Sequence, residues 1–495
     1  MNSVFVEILG RSEGLNRPFI LGRRPASYGD LIAAADVVAQ ALGNAGLSMG
    51  TRVGVCLDQG LAYVASLLGI RKAGGVIVPM APEWTPGEQQ KVLDFAEVRF
   101  VLTDMPTVGT DEPVSATALV EGKMNLLRFS PATETSADST DAVIIFTSGT
   151  TGQPKGVVLT ESGLSANVRA VAAYLDMSPA DSSPIFTPPC YAYSVCHNLV
   201  HVVAGAAVLP VPTGLKFPRE LLKAVDELKL TSLSANPTAF RMLLAQADST
   251  ARYPSVRFLM TGGQPLSEKL AHDLGQVFSR SRICNMYGCT ENGPRISYFW
   301  LDGADGRDAT GHYCVGTPIA GTRIRVVGSN GGETGPGDPG EIHVSGTSMM
   351  SRYWKDPAAT AERLKDNWLH TRDVGYRDDR GRLFLSGRIG TMINVGSHKV
   401  SPEEVELVLR QVDGVVEAAV FSVPDAMTGE AVEAMVMVER DADLTAADLQ
   451  RACRAMLSSH KVPRAIDVVG EIPMTLYGKI DRKALVRHGA VRVRS

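Results

Sequence analysis

Short apolar runs alternate with longer amphipathic segments through the first half of the chain. Residues 52–57 (RVGVCL) are typical of a buried strand, residues 61–72 favour a helix that the Gly74–Gly75 pair ends, and residues 76–79 favour a second strand. The same texture returns at 184–188, 206–211, 231–234, 256–260 and 282–285. Strand–helix–strand repetition predicts an α/β fold with largely parallel sheets.

The texture changes after residue 310. Predicted strands at 322–327, 341–346 and 382–387 follow one another closely, which indicates an antiparallel β-rich subdomain. The glycine-rich residues 328–340 lie within it. They lack a lysine and GxGxxG spacing, so we predict a long turn there rather than a phosphate loop.

The last part of the 495-residue chain has the pattern of a small α/β domain. A helix is predicted at 403–412, with Ser401 as N-cap and Pro402 in the first turn. Further elements are predicted at 418–423, 431–439 and 444–459. We expect an N-terminal domain at 1–388 and a C-terminal domain at 389–495.

Charge and cysteine usage exclude several classes of protein. A formal net charge of -4 does not indicate the basic surface that nucleic-acid binding requires. Seven cysteines, an odd number without a CxxC pair, indicate free thiols in a reducing compartment, and we expect a cytoplasmic protein. The first residues do not resemble a signal peptide, and no apolar run reaches the roughly 18 residues that a membrane span needs.

Residues 142–160 (AVIIFTSGTTGQPKGVVLT) place a polar loop between two predicted strands. The segment 147–156 holds four hydroxyl side chains, three glycines and one lysine. Glycines let backbone N–H groups approach an anion, hydroxyls donate further hydrogen bonds, and lysine supplies charge. The loop therefore predicts triphosphate binding. It is not a Walker A loop, because a strand rather than a helix follows Lys155.

This loop resembles the signature loop of the adenylate-forming superfamily, which includes acyl- and aryl-CoA synthetases, nonribosomal peptide synthetase adenylation domains and firefly luciferase. The resemblance implies an α/β fold with a large N-terminal domain of two helix-flanked sheets plus a β-rich subdomain, and a small mobile C-terminal α/β domain. It also implies that the ATP phosphates are bound by Thr147, Ser148, Gly149, Thr150, Thr151, Gly152 and Lys155.

Two further segments resemble the family in the expected order. RFLMTGGQPL (257–266) is similar to the segment along the adenine, and implies that Gly263 and Gln264 bind ATP and that Gly262 lies at the acid. NMYGCTEN (285–292) is similar to the YGxTE element. The roles it implies are adenine amine binding by Asn285, adenine stacking by Tyr287 beside Gly288, α-phosphate binding by Thr290 and Mg²⁺ ligation by Glu291.

The remaining resemblance lies in the last third of the chain. LHTRDVGYRDD (369–379) is similar to the family's TGD segment, so Asp373 is expected to bind the ribose hydroxyls. Arg388, in the GRxD-like stretch, is expected at ribose or phosphate. IPMTLYGKIDRKAL (472–485) is similar to the C-terminal segment that carries the catalytic lysine, here Lys479. The resemblance covers nearly the whole chain.

The implied reaction is attack by a substrate carboxylate on the α-phosphorus of MgATP, then transfer of the acyl group to the thiol of coenzyme A or of a carrier-protein phosphopantetheine. Four positions near the domain boundary depart from the family: Arg372 replaces a glycine, Gly390 stands at the hinge position, Asn394 replaces a lysine and Ser397 replaces a glycine. These four departures do not weaken the prediction of adenylation. They concern the second step, the formation of the thioester.

The segment 187–209 aligns with the family helix that lines the acid pocket. Amino-acid-activating relatives carry Asp at the position of Ala192, so ordinary α-amino acids are not expected as substrates. Tyr191 and Tyr193 favour a flat or short acid, an aryl acid or a short acyl chain, although ordinary core packing explains them equally well. His197 and His201 are four residues apart, but Asn198 replaces the glutamate of HExxH, so packing or a pocket wall is expected rather than zinc.

The sequence also allows other functions. A free-standing enzyme that loads a separate carrier protein is the main alternative to a coenzyme A ligase. A non-catalytic nucleotide-binding protein and an adenylate used for amide formation are two others.

Overall fold

The computed structural model describes residues 3–473 and 480, 484 and 485, apart from gaps at 111, 112, 114, 120–123, 130–137, 148–154, 213, 248–251, 302–305, 309, 310, 312, 391, 396, 397, 426 and 440. The helices in the described part are α1 (Val4–Leu9), α2 (Tyr28–Asn44), α3 (Leu61–Lys72), α4 (Pro86–Ala96), α5 (Glu161–Tyr174), α6 (Ala192–Ala204), α7 (Pro218–Glu227), α8 (Pro237–Leu244), α9 (Glu268–Val277), α10 (Pro357–Arg363), α11 (Pro402–Arg410) and α12 (Ala446–Met456).

The first half of the chain forms two sheets that contain the predicted parallel strands. One has four strands in the order β10-β11-β1-β2 and the other has eight in the order β19-β9-β8-β4-β3-β5-β7-β6. The bounds are β1 (Pro18–Ile20), β2 (Ala26–Ser27), β3 (Arg52–Cys56), β4 (Val76–Met80), β5 (Phe100–Thr103), β6 (Ser115–Leu119), β7 (Met124–Arg128), β8 (Asp141–Thr147), β9 (Lys155–Thr160), β10 (Ser182–Ile185), β11 (Ala207–Pro210) and β19 (Arg352–Tyr353).

Burial of the strands explains the apolar runs in this part of the sequence. Every residue of β3 and of β4 is buried, and the two strands pair in parallel. The helix α3 that connects them has the predicted bounds and ends before Gly74, whose φ of 84° is a left-handed conformation that glycine adopts freely. Strands buried on both faces need continuous apolar sequence, so the prediction of parallel α/β structure is confirmed.

A third sheet of five strands has the order β12-β13-β14-β15-β16. Its strands are β12 (Ser232–Ala235), β13 (Phe258–Gly262), β14 (Arg282–Tyr287), β15 (Ser297–Trp300) and β16 (Thr317–Pro318). The first three pair in parallel, so their carboxyl ends meet at one edge of the sheet. That edge is where open α/β sheets bind ligands.

The predicted β-rich subdomain is a fourth sheet with antiparallel pairing. Its order is β17-β18-β21-β20, with β22 against β21. The strands are β17 (Thr322–Val327), β18 (Gly340–Gly346), β20 (Leu364–Lys365), β21 (Trp368–Arg377) and β22 (Leu383–Arg388). The glycine-rich residues 328–340 lead from β17 to β18 through turns, as predicted.

The fifth sheet belongs to the C-terminal part and has the order β24-β23-β26-β25, with β27 against β26. Its strands are β23 (Ile393–Val395), β24 (His398–Val400), β25 (Val415–Asp425), β26 (Gly429–Val438) and β27 (Ala465–Val469). Ser401 caps α11 as predicted, because its Oγ accepts the N–H of Glu404 at 3.4 Å. The boundary at residue 388 stays a prediction. Within the described residues, no helix has both the length and the apolar character to cross a membrane.

Candidate active site

A cleft of about 1440 Å³ opens at the carboxyl ends of β13 and β14 and extends toward β21 and β22. Many of the predicted nucleotide-binding residues line it. Those residues are Gly263, Gln264, Asn285, Tyr287, Gly288, Asp373, Arg388 and the hinge candidate Gly390. The motifs that carry them are separated by up to about a hundred residues in the sequence and reach one cavity through the fold.

Asn285 supplies an unsatisfied acceptor to this cleft. It lies on β14 with 2% of its surface exposed, and its side-chain amide donates to the Cys314 carbonyl at 3.0 Å. The carbonyl oxygen of the same side chain, Oδ1, is buried and has no partner among the described residues. Native structures rarely leave such an atom unpaired. The exocyclic amine of adenine is a donor of the kind that Oδ1 lacks.

Tyr287, Asp373 and Arg388 form a connected group opposite Asn285. The Tyr287 hydroxyl donates to Oδ2 of Asp373 at 2.6 Å, and Nε of Arg388 lies 3.5 Å from Oδ1 of the same carboxylate. Burial raises the pKa of Asp373, while Arg388 and the Tyr287 hydroxyl oppose that rise. A carboxylate held this way keeps free lone pairs on both oxygens, which suits a vicinal diol.

Two glycines are required by close backbone approach. A Cβ on Gly262 would lie 2.7 Å from the Met286 carbonyl oxygen, and a Cβ on Gly288 would overlap the carbonyl of Pro294. Gly263 has a φ of 80°, which favours glycine. The side chain of Gln264 is engaged locally, since its Oε1 accepts from the Thr238 hydroxyl at 2.9 Å.

Thr290 and Glu291 lie on a 3₁₀ turn (Thr290–Asn292) directly after β14. Oε1 of Glu291 accepts from the Tyr353 hydroxyl at 2.7 Å and lies 3.8 Å from the Arg363 guanidinium. Nζ of Lys155 lies 5.3 Å from the centre of the same Tyr353 ring. The structure therefore brings Lys155 to the ring and Glu291 to the hydroxyl of the same tyrosine.

The phosphate loop is described only at its two ends. Thr147 and Lys155 pair across the antiparallel hairpin of β8 and β9. The candidates Ser148, Gly149, Thr150, Thr151 and Gly152 lie outside the described residues, and so do Lys479 and Ser397.

Glu291 fits a role in holding magnesium. Mg²⁺ prefers one or two carboxylates together with substrate phosphate oxygens, and Glu291 offers one carboxylate beside the residues expected at the phosphates. Among the described residues, one group of three potential metal ligands, Glu341, His343 and His370, also borders the cleft. Two imidazoles among three ligands do not suit magnesium. The two rings lie with their centres 3.8 Å apart and their planes tilted by 35°.

The predicted acid-binding helix is α6. Tyr191 is its N-cap residue, Ala192 is its first residue and is 4% exposed, and the Tyr193 hydroxyl bonds to Oγ of Ser234 on β12. His197 and His201 stack with ring centres 4.5 Å apart. Burial lowers the pKa of both histidines, that of His201 to about 4. They are packed, neutral side chains, consistent with the packing or pocket wall expected from the sequence.

Two of the family departures, Arg372 and Gly390, lie next to each other, and Gly390 lines the cleft. Arg372 has a φ of 63° and Gly390 a φ of 97°. A Cβ on Gly390 would lie 3.7 Å from the Arg372 guanidinium. Residue 372 therefore has a left-handed backbone conformation that suits glycine, although the residue is an arginine.

Sequence reasoning missed Tyr353, Arg363 and Arg295. Tyr353 and Arg363 reach Glu291 from a segment more than 60 residues further along the chain. No local pattern marks them, because the contact depends on the pairing of β19 with β9. Arg295 follows the YGCTE element closely, so its proximity to that motif was the available signal.

Comparison with known proteins agrees with this geometry. The profile described as AMP-binding enzyme matches residues 12–354, and that of the AMP-binding enzyme C-terminal domain matches 404–479. The chain belongs to this family of adenylate-forming enzymes, which are AMP-forming ligases.

Similar proteins share the full length of the chain. A fatty acid–[acyl-carrier-protein] ligase, ScoC, from Streptomyces coeruleorubidus is 30% identical, over 93% of this chain and 91% of the relative. A sulfoacetate–CoA ligase from Cupriavidus necator is 30% identical, over 96% and 95%. The crystal structure of ATP-bound MatB from Rhodopseudomonas palustris superposes with a TM-score of 0.84 over 99% of each chain at 24% identity, which supports the fold.

Proposed function

We propose that this protein uses MgATP to convert a carboxylic acid other than an ordinary α-amino acid, either an aryl acid or a short acyl acid, to an acyl-adenylate, and then transfers the acyl group to coenzyme A. The observation that carries the proposal is the buried Oδ1 of Asn285, which has no partner among the described residues and belongs to a residue that lines the same cleft as Tyr287, Asp373 and Arg388. An adenosine moiety supplies the donors that these acceptors lack.

The reaction needs no enzyme nucleophile. An oxygen of the substrate carboxylate attacks the α-phosphorus, and pyrophosphate leaves with the electron pair of the broken P–O bond. Both reactants are anionic, so the protein contributes alignment and positive charge. Asn285 and Asp373 orient the nucleoside, Thr290 donates to the α-phosphate, and Lys155 with Lys479 supplies charge. Glu291 would hold magnesium, which when bound would supply further positive charge to the phosphates.

The identity of the thiol that accepts the acyl group is the more specific part of the proposal. The sulfoacetate–CoA ligase is similar over nearly its whole length, which favours coenzyme A. ScoC, similar to the same extent, acts on an acyl carrier protein, so a separate carrier protein is the second candidate.

The domain division and compartment complete the proposal. Residues 1–388 would hold ATP and the acid, and residues 389–495 would bring Lys479 to the site by rotation at Gly390. Glycine at the hinge permits the required change in backbone dihedral angles. Seven free cysteines favour a reducing compartment such as the cytoplasm.

The test is ATP–pyrophosphate exchange against aryl, short acyl, fatty and amino acids. We expect exchange with acids of the first two classes and a loss of at least about a hundredfold in Lys479→Ala, since a group that stabilises developing charge is worth several kcal/mol. Lys72→Ala is the matched control, because that lysine pairs with Asp36 at 2.5 Å and does not line the cleft. Strong exchange with α-amino acids, or full activity in Lys479→Ala, would contradict the proposal.

A further inference from the structure

A buried arginine stands between the catalytic turn and the acid-binding helix. Arg295 is 5% exposed and lies four residues after Glu291. Its guanidinium carbon is 4.3 Å from the centre of the Tyr193 ring on α6. Gly288 holds the segment in place, because its backbone packs directly against Pro294. Arg295 therefore lies between the segment that carries Glu291 and the helix that is expected to line the acid pocket.

The charge of Arg295 has no carboxylate partner in the part of the chain that the structure describes. Its contacts are the Pro294 carbonyl at 3.5 Å from Nη1 and the hydroxyl of Tyr174, and its Nε is buried without a partner. Other buried arginines differ: Arg52 pairs with Glu97 and Arg410 pairs with Glu417. A buried cation without a counter-ion is costly, and an anionic ligand would relieve that cost.

The wall beside Arg295 also has unused hydrogen-bonding capacity. His197 lies next to Tyr193, with ring centres 5.7 Å apart, and stacks on His201. The Nε2 atoms of both histidines are buried without a partner. Since Nδ1 of the neutral His201 donates to the His197 carbonyl at 2.9 Å, its Nε2 is an acceptor, and Arg295 and His197 are the groups of this region that can donate to an anionic ligand.

We propose that Arg295 binds a second carboxylate on the substrate, so that the preferred acid is a short or aromatic dicarboxylic acid. The proposal rests on the proposed function and names its substrate class. One carboxylate reaches the α-phosphate beside Thr290 and Glu291, and the other pairs with the guanidinium. A guanidinium forms two parallel hydrogen bonds with a carboxylate, which fixes the orientation of the acid as well as its charge.

The experiment compares dicarboxylic acids with their neutral isosteres. Succinate is paired with its monoamide and phthalate with phthalamic acid, and kcat/KM is measured by pyrophosphate exchange. The full-length enzyme is expected to prefer at least one diacid over its own monoamide by about a hundredfold, since a charge-assisted pair in a buried site discriminates strongly. Equal or better use of the monoamides would overturn the proposal without any variant.

Substitutions at residue 295 then test whether Arg295 causes the preference for diacids. Arg295→Met is expected to reduce the diacid-to-monoamide ratio to near one, and Arg295→Lys to retain part of it. Arg257→Met is the matched control, because Arg257 has a carboxylate partner, Asp181 at 2.9 Å, whereas Arg295 has none among the described residues. An unchanged ratio in Arg295→Met would show that Arg295 is a structural residue only. If Arg295→Met does not fold, the ratio in Arg295→Lys decides in the same way.

A binding measurement separates this proposal from the proposed function. Succinate and phthalate are titrated calorimetrically into the protein with ATP present. Diacid binding that Arg295→Met abolishes, without exchange, would keep the carboxylate subsite and reject the ligase reaction. Exchange that is restricted to monocarboxylic acids would keep the ligase reaction and reject the subsite. Neither binding nor exchange with any acid would reject both.

Discussion

At the scale of single residues, Arg372 combines a family departure with an unusual backbone. Its φ of 63° lies in the left-handed region, which costs a residue with a Cβ about 1 kcal/mol. Two contacts hold it: its N–H donates to Glu341 at 3.0 Å, and its guanidinium reaches Glu362 at 3.2 Å between exposed side chains. The backbone is fixed here by its neighbours rather than by the side chain at this position.

Substitutions at residue 372 should follow backbone preference. Arg372→Gly removes the left-handed cost and a weak surface pair but adds freedom to the unfolded chain, so stability should change by less than about 0.5 kcal/mol. Arg372→Val should destabilise by about 1–2 kcal/mol, because a β-branched residue fits this region poorly. Urea unfolding measures both. Arg323→Val, in the extended strand β17, is the control, and a valine at 372 tolerated as well as one at 323 would contradict the argument.

At the scale of elements, the sequence pattern predicted those helices and strands whose bounds depend on residues close together in the chain. The bounds of α3, the strands β3 and β4 and the cap of α11 follow from apolar runs, glycines and a Ser–Pro pair. Local pattern does not report distant pairing such as β19 with β9, which brings Tyr353 to Glu291. For the same reason the motifs predicted Asn285 and Asp373, while Arg295 and Tyr353 emerged only from the fold.

The cap of α11 can be tested as an element. Oγ of Ser401 accepts the Glu404 N–H and donates to the Glu403 carboxylate at 2.9 Å. Ser401→Ala should lower the free energy of unfolding by about 1 kcal/mol, and Ser401→Asp should retain most of the capping energy. Denaturant unfolding followed by helical circular dichroism measures the change. Ser458→Ala, where the side chain makes no capping hydrogen bond, serves as control, and equal effects at the two serines would count against the cap.

At the scale of the whole molecule, Glu417 joins the C-terminal part to the N-terminal part. It lies on β25, 2% exposed, and accepts from Arg241 on α8 at 2.7 Å and from the Thr238 hydroxyl at 3.0 Å. Arg410 of α11 binds its other oxygen. By contrast, the ion pair of Lys269 with Asp413 is exposed and contributes little. Of these two contacts, the buried carboxylate therefore contributes more to the stability.

This contact should make stability fall in acid. Burial alone would raise the pKa of Glu417, but Arg410 and Arg241 lower it to about 2, against 4.5 for an ordinary glutamate. Because the folded pKa is depressed, the stabilisation is complete above pH 4.5 and is lost as pH falls toward 2. Its size is roughly 3 kcal/mol, from a shift worth about 1.4 kcal/mol per pKa unit.

Glu417→Gln isolates that effect from other carboxylates. The variant lacks the charge at every pH, so its apparent melting temperature should lie below that of the native protein at pH 7. The difference should narrow as the pH falls from 4.5 toward 2, because Glu417 takes up a proton in the unfolded chain but not yet in the folded protein, which lowers the stability of the native protein alone. Asp413→Asn, at the exposed link, should show a small difference at any pH. A gap between Glu417→Gln and the native protein that stays constant from pH 7 to pH 3 would mean that the contact stabilises through shape and hydrogen bonding rather than through charge.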